Sequence, residues 1–283
     1  VIGHQINPII LREMRSRMRG RRAFIVLTVY LILLSCLAGS VYTLIYSENV
    51  SYNPYGLTTP SLQYGPTIGK SIFTGTVLLL LTIISFVAPA FTAGAIAGER
   101  ERQTYEVLLI TPMRATQIVL GKLGAVFIFL LLMILASLPI QSLAFLFGGV
   151  ELTEVVIAAL GLIVTALAFG ALGLFVSSLV RTTLIAELVA YGVGIPFVYG
   201  LPFVLIYLVS TVLPALNLVD DPTLPVIIFL VYGLGFVASI NPFGSALLTG
   251  MLASEGKGYF FFSETFDNIT LWFVSPWVVY VIF

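Results

Sequence analysis

The sequence predicts an all-α fold, a polytopic membrane helix bundle, and three observations carry that expectation. Of 283 residues, 59% are hydrophobic and only 9% charged, against about 25% charged in globular domains. Several apolar runs reach the roughly 20 residues that a helix needs to cross the hydrocarbon core. The few Lys and Arg residues gather between alternate runs. Such a chain lacks the polar surface of a soluble protein, which sets aside most soluble enzyme classes. It reads as a single transmembrane domain over 1–283.

The first element is an amphipathic helix over 1–22. Asn7 can cap it, with Pro8 at its first position. Ile6, Ile10, Met14 and Met18 recur every fourth residue, while Arg12, Arg15, Arg19 and Arg22 gather on the other side. A helix of this kind lies in the headgroup plane with its arginines toward lipid phosphates. Arg17 and Arg21 stand at the apolar border and would snorkel. The simpler alternative is that six arginines merely hold this end inside. A nucleic-acid patch is not expected beside a membrane.

Five full spans follow, over 23–46, 71–97, 123–148, 155–180 and 184–213, and a sixth apolar run over 271–283 is cut short. The chain also starts at Val1 without Met, so the expectation is a fragment whose last span continues. The stretch 226–240 is apolar but short and holds Gly233 and Gly235. It is read as a re-entrant outer segment, with an extra span as the alternative. Pro89, Pro139, Pro196 and Pro202 interrupt spans two, three and five and predict kinks. Ser85, Ser137, Gln141, Ser142, Thr165, Ser177 and Ser178 are expected to make helix–helix hydrogen bonds. Gly94 and Gly98 suggest close packing at the inner end of span two.

Orientation follows from the short loops. With six arginines before the first span, the N-terminus is expected in the cytoplasm. Alternation then places eleven basic residues against five acidic ones inside, a balance of +6. Outside fall Lys70 and Lys257 against eight acids, a balance of −6. The zero net charge is therefore a cancellation across the membrane. Tyr259, Phe260, Phe261, Phe262, Trp272 and Trp277 fall where an outer interfacial aromatic belt is expected.

Catalytic chemistry finds no foothold in the sequence. Cys36 and His4 are the only residues of their kinds, so no thiolate cluster is expected, and neither a metal nor a cofactor. No Asp, Glu, Lys or Arg occupies the middle of a span, which disfavours an ion-coupled carrier. The stretch 65–71, GPTIGKS, looks like a phosphate-binding loop. It has three residues between its glycines where that motif needs four, and no strand precedes it.

The segment 98–122 reads GERERQTYEVLLITPMRATQIVLGK. It is short, dense in charge of both signs, and broken at Thr111-Pro112. Residues 103–110 can form about two turns of helix, with Val107, Leu108 and Ile110 apolar. Such an elbow is either a lipid anchor or a handle for a partner, and its mixed charge suits a specific polar contact.

This segment closely resembles the loop between spans two and three of type-two ABC exporter permeases. Glu99, Arg100, Thr104, Glu106, Leu108, Leu109, Thr111, Pro112, Gly121 and Lys122 match that family's pattern, while Gln103 stands where the family often has Gly. Asn7-Pro8 and Asn241-Pro242 are looser matches. The resemblance implies a six-span, multi-pass permease of the inner or plasma membrane, with 98–122 as its cytoplasmic coupling loop. A separate ATP-binding subunit would dock there, touching Glu99, Arg100, Glu101, Arg102, Thr104 and Glu106. A second permease chain, identical or related, would complete the pathway. The plain alternative for Glu99 and Arg100 is helix capping and local pairing. For the whole chain, the alternative is a non-transporting scaffold subunit on the same fold. A membrane enzyme is disfavoured because no acid, His or Cys cluster lies near the bilayer.

Overall fold

The structure, a computed structural model, describes residues 21–51, 60–104, 115–212, 229–266 and 269–283. Long helices dominate. They are α1 (Arg21–Ser51), α2 (Pro60–Glu101), α3 (Ala115–Phe147), α4 (Leu152–Leu179) and α5 (Thr183–Ile195). The last continues through a π-helical turn at Pro196–Gly200 into α6 (Leu201–Tyr207) and a second π turn at Leu208–Val212. Five stretches have the length and apolar composition of a membrane span: Phe24–Ile45, Gly65–Glu101, Ala115–Phe147, Leu152–Leu179 and Thr183–Thr211. The all-α membrane bundle expected from composition is thus the observed fold class.

The helices overrun the apolar runs that predict them. The 42 residues of α2 reach about 63 Å at 1.5 Å per residue, roughly twice the hydrocarbon thickness. The outer loop expected over 47–70 is therefore helical at both ends, with Pro60 in a first-turn position where its missing N–H is harmless. The glycine-rich stretch 65–71 lies inside α2, so it is no loop. A Cβ at Gly69 would collide with the carbonyls of Ala144 and Gly148; that glycine serves helix packing.

Two compact units divide the chain, 1–155 with 165–191, and 156–164 with 192–283. In the first, Leu34, Ile72, Leu80, Ile84, Leu130 and Met133 are fully buried between α1, α2 and α3. The Tyr30 hydroxyl of α1 donates to the Met133 carbonyl of α3 at 3.0 Å. Large apolar side chains remain exposed on α1, such as Phe24 at 72% and Leu44 at 63%. A patch of that kind is a liability in water and ordinary against lipid.

In the second unit, a π turn at Phe229–Leu234 leads into α7 (Gly235–Ile240), and Asn241 then bends the chain into α8 (Pro242–Ser254). The bend is 117°. Together, and not singly, the two arms have the length and composition of a span. The re-entrant or extra span expected over 226–240 therefore takes the form of a bent helix pair, with 226–228 outside the described residues. Gly244 is required at the bend, because a Cβ there would strike the Ala238 backbone.

Asn241 repairs a defect that Pro202 creates. Pro202 has no N–H, and Leu201 N–H bonds to the Pro196 carbonyl, so the Phe197 carbonyl loses its helical donor and the Val198 carbonyl loses the donor four residues on. Asn241 Nδ2 donates to both, at 2.6 and 3.2 Å. Its Oδ1 accepts from Phe243 and Gly244 N–H at 2.9 and 3.1 Å, capping α8. This side chain is completely buried, yet both ends of its amide are used.

One region departs from the all-helical expectation. Residues Phe261–Phe266 (β1) and Ile269–Val274 (β2) form an antiparallel hairpin, and the last helix, α9 (Pro276–Ile282), starts only after it. The sixth span expected from residue 271 is corrected accordingly. Its first four residues belong to a strand rich in β-branched and aromatic side chains, which favour a pleated surface. Pro276 then takes a first-turn helical position.

Candidate functional site

The charged segment that begins at Gly98 is organised by the end of α2. The helix stops at Glu101, and Gln103 takes a left-handed conformation at φ 58°. Thr104 N–H donates back to the Glu99 carbonyl at 2.9 Å, and Gln103 N–H to the Arg100 carbonyl at 3.1 Å. This six-to-one and five-to-two pair is a Schellman stop, whose left-handed position favours glycine. The position where the resembled family often has Gly is thus the one that needs positive φ.

Three side chains of this last turn reach three different segments. Glu99 accepts from Thr104 Oγ1 at 2.6 Å and from Lys122 Nζ at 3.3 Å. Lys122, on α3, also donates to the Ala95 carbonyl at 2.8 Å and is only 5% exposed. Arg100 Nη1 donates to the Val180 carbonyl at the end of α4, at 3.2 Å. Glu101 Oε2 accepts from Thr183 N–H at 3.1 Å and Thr183 Oγ1 at 2.8 Å. It thereby serves the positive N-terminal end of α5. These Thr183 hydrogen bonds, helped by nearby Arg102, hold the Glu101 carboxyl below its ordinary carboxylate range.

Small residues let these segments meet. Gly94 and Gly98 lie under Thr183, where a Cβ would sit 3.0 Å and 3.5 Å from its side-chain atoms. Ala93, Ala97, Val176, Ala186 and Ala190 form a buried cluster directly above. At Gly173 a Cβ would clash with Thr92 Oγ1 and stand 3.0 Å from Pro89 Cα, so α2 and α4 are in backbone contact. Ser177 Oγ accepts from the N–H groups of Ile96 and Ala97 at 2.9 Å each. Of the span serines expected to link helices, Ser177 does so, and Ser137 also hydrogen-bonds Tyr30 of α1 while donating one turn back in its own helix. Ser142 and Ser178 donate to carbonyls one turn back in their own helices.

The expected contact residues therefore sort into two sets. Glu99, Arg100 and Glu101 are engaged within the chain, and Arg102 and Thr104 are exposed. Glu106 and the rest of 105–114 lie outside the described residues, so the short helix expected over 103–110 is described only in its first two positions. Those two belong to the helix stop. Among the lipid-contact arginines, Arg12, Arg15 and Arg19 lie outside the described residues, and Arg22 stands in the first turn of α1. Sequence reasoning missed Lys122 and Thr183. Lys122 counted as a topological charge and as part of the family pattern, and its place next to Gly121 invites the close approach that was not read from it. The pair Thr182-Thr183 carried a signal too, since Thr is favoured at the cap of a helix, here Thr182.

A family model described as ABC-2 family transporter protein matches residues 7–252 of the chain. No individual curated protein matches it.

Proposed function

The chain belongs to the ABC-2 transporter family, whose members are membrane subunits of transporters and not catalytic enzymes, and from that premise we propose that it is the permease of an exporter. A separate ATP-hydrolysing subunit drives it by docking on 98–122. In this reading the outward residues Arg102, Thr104 and Glu106 meet the partner, and Glu99, Arg100 and Glu101 carry its movement inward. The observation that carries the reading is the three-way brace at the end of α2. A displacement of the loop pulls α2, α3 through Lys122, and the α4–α5 turn through Val180 and Thr183 as one body. Charge of both signs at a helix end, with its own acids already satisfied, is a rigid handle.

The remaining assignments follow from the same reading. The N-terminus lies in the cytoplasm of a cell membrane, with Arg12, Arg15, Arg19 and Arg22 against lipid phosphates. A second permease chain completes the pathway. Purification of the chain from its native membrane tests the core of the proposal. An ATP-binding subunit should accompany it, with ATPase activity that rises in the complex and is lost on Glu106→Lys. If no ATPase accompanies the chain and Glu106→Lys changes nothing, the reading fails.

A further inference from the structure

The two faces of the β1–β2 hairpin differ sharply in what they meet. On one face Phe262 and Phe273 stack at 5.1 Å, and Tyr232 stacks on Phe273 at 4.7 Å. The Tyr232 hydroxyl donates to the Trp272 carbonyl at 2.8 Å, fixing the hairpin to the bent helix pair. Phe262 and Phe273 of that face are thus engaged. The other face is exposed along its whole length, and its polarity changes in steps. At the base Phe261 pairs with Val274, 65% and 44% exposed. Next, Ser263 faces Trp272, itself 69% exposed. At the tip Thr265 faces Thr270.

This grading identifies the occupant. A protein partner is met by an apolar centre inside a polar rim, whereas a membrane boundary is met by a surface apolar at one end and polar at the other. The apolar end is also the end tied to the final helix. Ser275 N–H donates to the Phe260 carbonyl at 2.9 Å, and Phe260 packs edge-on against Trp277 at 5.3 Å. A six-residue strand is about 20 Å long, enough to pass from the acyl boundary through the headgroups, where tryptophan is favoured.

We propose that this face of the hairpin docks into the lipid bilayer, with Phe261, Trp272 and Val274 at the headgroup–acyl boundary and Thr265 and Thr270 in water. The hairpin is thus a lipid-reading strut that holds the bent helix pair at a fixed depth. Of the aromatic belt expected from sequence, Phe262 and Trp277 serve internal packing.

The chain has only two tryptophans, which makes the depth measurable. Full-length protein is reconstituted in phosphatidylcholine vesicles whose acyl chains carry bromine either near the headgroup or near the methyl end. Trp272 emission is obtained directly in Trp277→Phe, and independently as the difference between wild type and Trp272→Phe. The proposal expects blue-shifted Trp272 emission that is lost with shallow bromines, kept with deep ones, and poorly reached by aqueous iodide. A tryptophan at the tip, Thr270→Trp with Trp272 and Trp277 changed to Phe, should lose emission to iodide. Full iodide access to Trp272 overturns the proposal, as does strongest quenching by deep bromines. Protection from both quenchers also overturns it, since protein would then cover this face.

Discussion

Two clamps hold this molecule's helices, and they are built from opposite chemistry. At the end of α2, formal charges join three segments: Glu99 to Lys122, Arg100 to Val180, and Glu101 to Thr183. At the bend after α7, one neutral amide, Asn241, joins the broken fifth span to the start of α8. The acids of the first clamp are exposed or partly so, while Asn241 is fully buried. Charge is affordable where water still screens it, and a buried ion pair repays its desolvation only with excellent geometry. An amide can satisfy donors and acceptors in the dry interior without that penalty. The comparison teaches that the charged clamp keeps its carboxylates within reach of water and buries only Lys122, held by a carbonyl and a carboxylate, whereas the clamp at the bend is neutral.

The largest effect is expected at the neutral clamp. Asn241→Ala removes two interhelical bonds, at about 0.6 kcal/mol each on average in membranes. It also removes a helix cap worth about 1 kcal/mol, so a loss of about 2 to 3 kcal/mol in unfolding stability is expected. Pro202→Ala restores an N–H toward the same carbonyls and should make the double variant less destabilised than Asn241→Ala alone. If Pro202→Ala gives no rescue, Asn241 is not repairing the proline's defect. Thermal unfolding in detergent distinguishes these outcomes.

The ionic clamp should respond less. Lys122→Met takes the ammonium partner from Glu99 near the rim, where Thr104 and water relieve part of the loss, and is expected to destabilise by about 1 to 2 kcal/mol. Glu99→Gln should do less than this, since the amide oxygen can still accept from Lys122 while the amide N–H donates to Thr104 Oγ1. Equal effects of the two would show that burial of Lys122 is not what matters. A gain is expected at the helix stop. Gln103→Gly relieves a left-handed non-glycine residue and should stabilise by about 1 kcal/mol, visible as a raised melting temperature.

The smallest effect is a pH dependence at Glu101. Its carboxyl titrates lower in the folded chain than when unfolded. Its contribution is therefore present above the unfolded carboxylate pKa and is lost as pH falls through the folded value. Wild type should exceed Glu101→Gln in melting temperature near neutral pH, and the gap should close on acidification. A gap that stays constant with pH would remove charge from the explanation.

Much of this architecture was legible in the sequence because lipid imposes one strong requirement: backbone groups must be satisfied within a helix. Apolar runs and the prolines within them accordingly pointed to α1 through α6. Helix ends were less legible. α2 runs on to Glu101, where the helix stop at Gln103 and the bonds of Glu99 to Thr104 and Lys122 hold its last turn, and neither feature appears in hydropathy. The β1–β2 hairpin was hidden for a related reason. Its alternating Phe, Thr, Ile and Trp residues carry strand propensity, but beside a membrane they equally suit an aromatic belt. At the candidate site, residue types were readable and their partners were not. Glu99 stood out through the family pattern of 98–122, without its Lys122 partner, and the reach of Glu101 to Thr183 joins residues 82 positions apart.

The central claim is that the charged turn after α2 is the seat of an energy-supplying partner. A photo-crosslinking residue in place of Arg102, whose exposed position leaves the internal clamps intact, addresses it directly in native membranes. The account predicts a crosslink to an ATP-binding subunit that becomes sensitive to nucleotide. Crosslinking only to lipid, or only to a second copy of this chain, would contradict it.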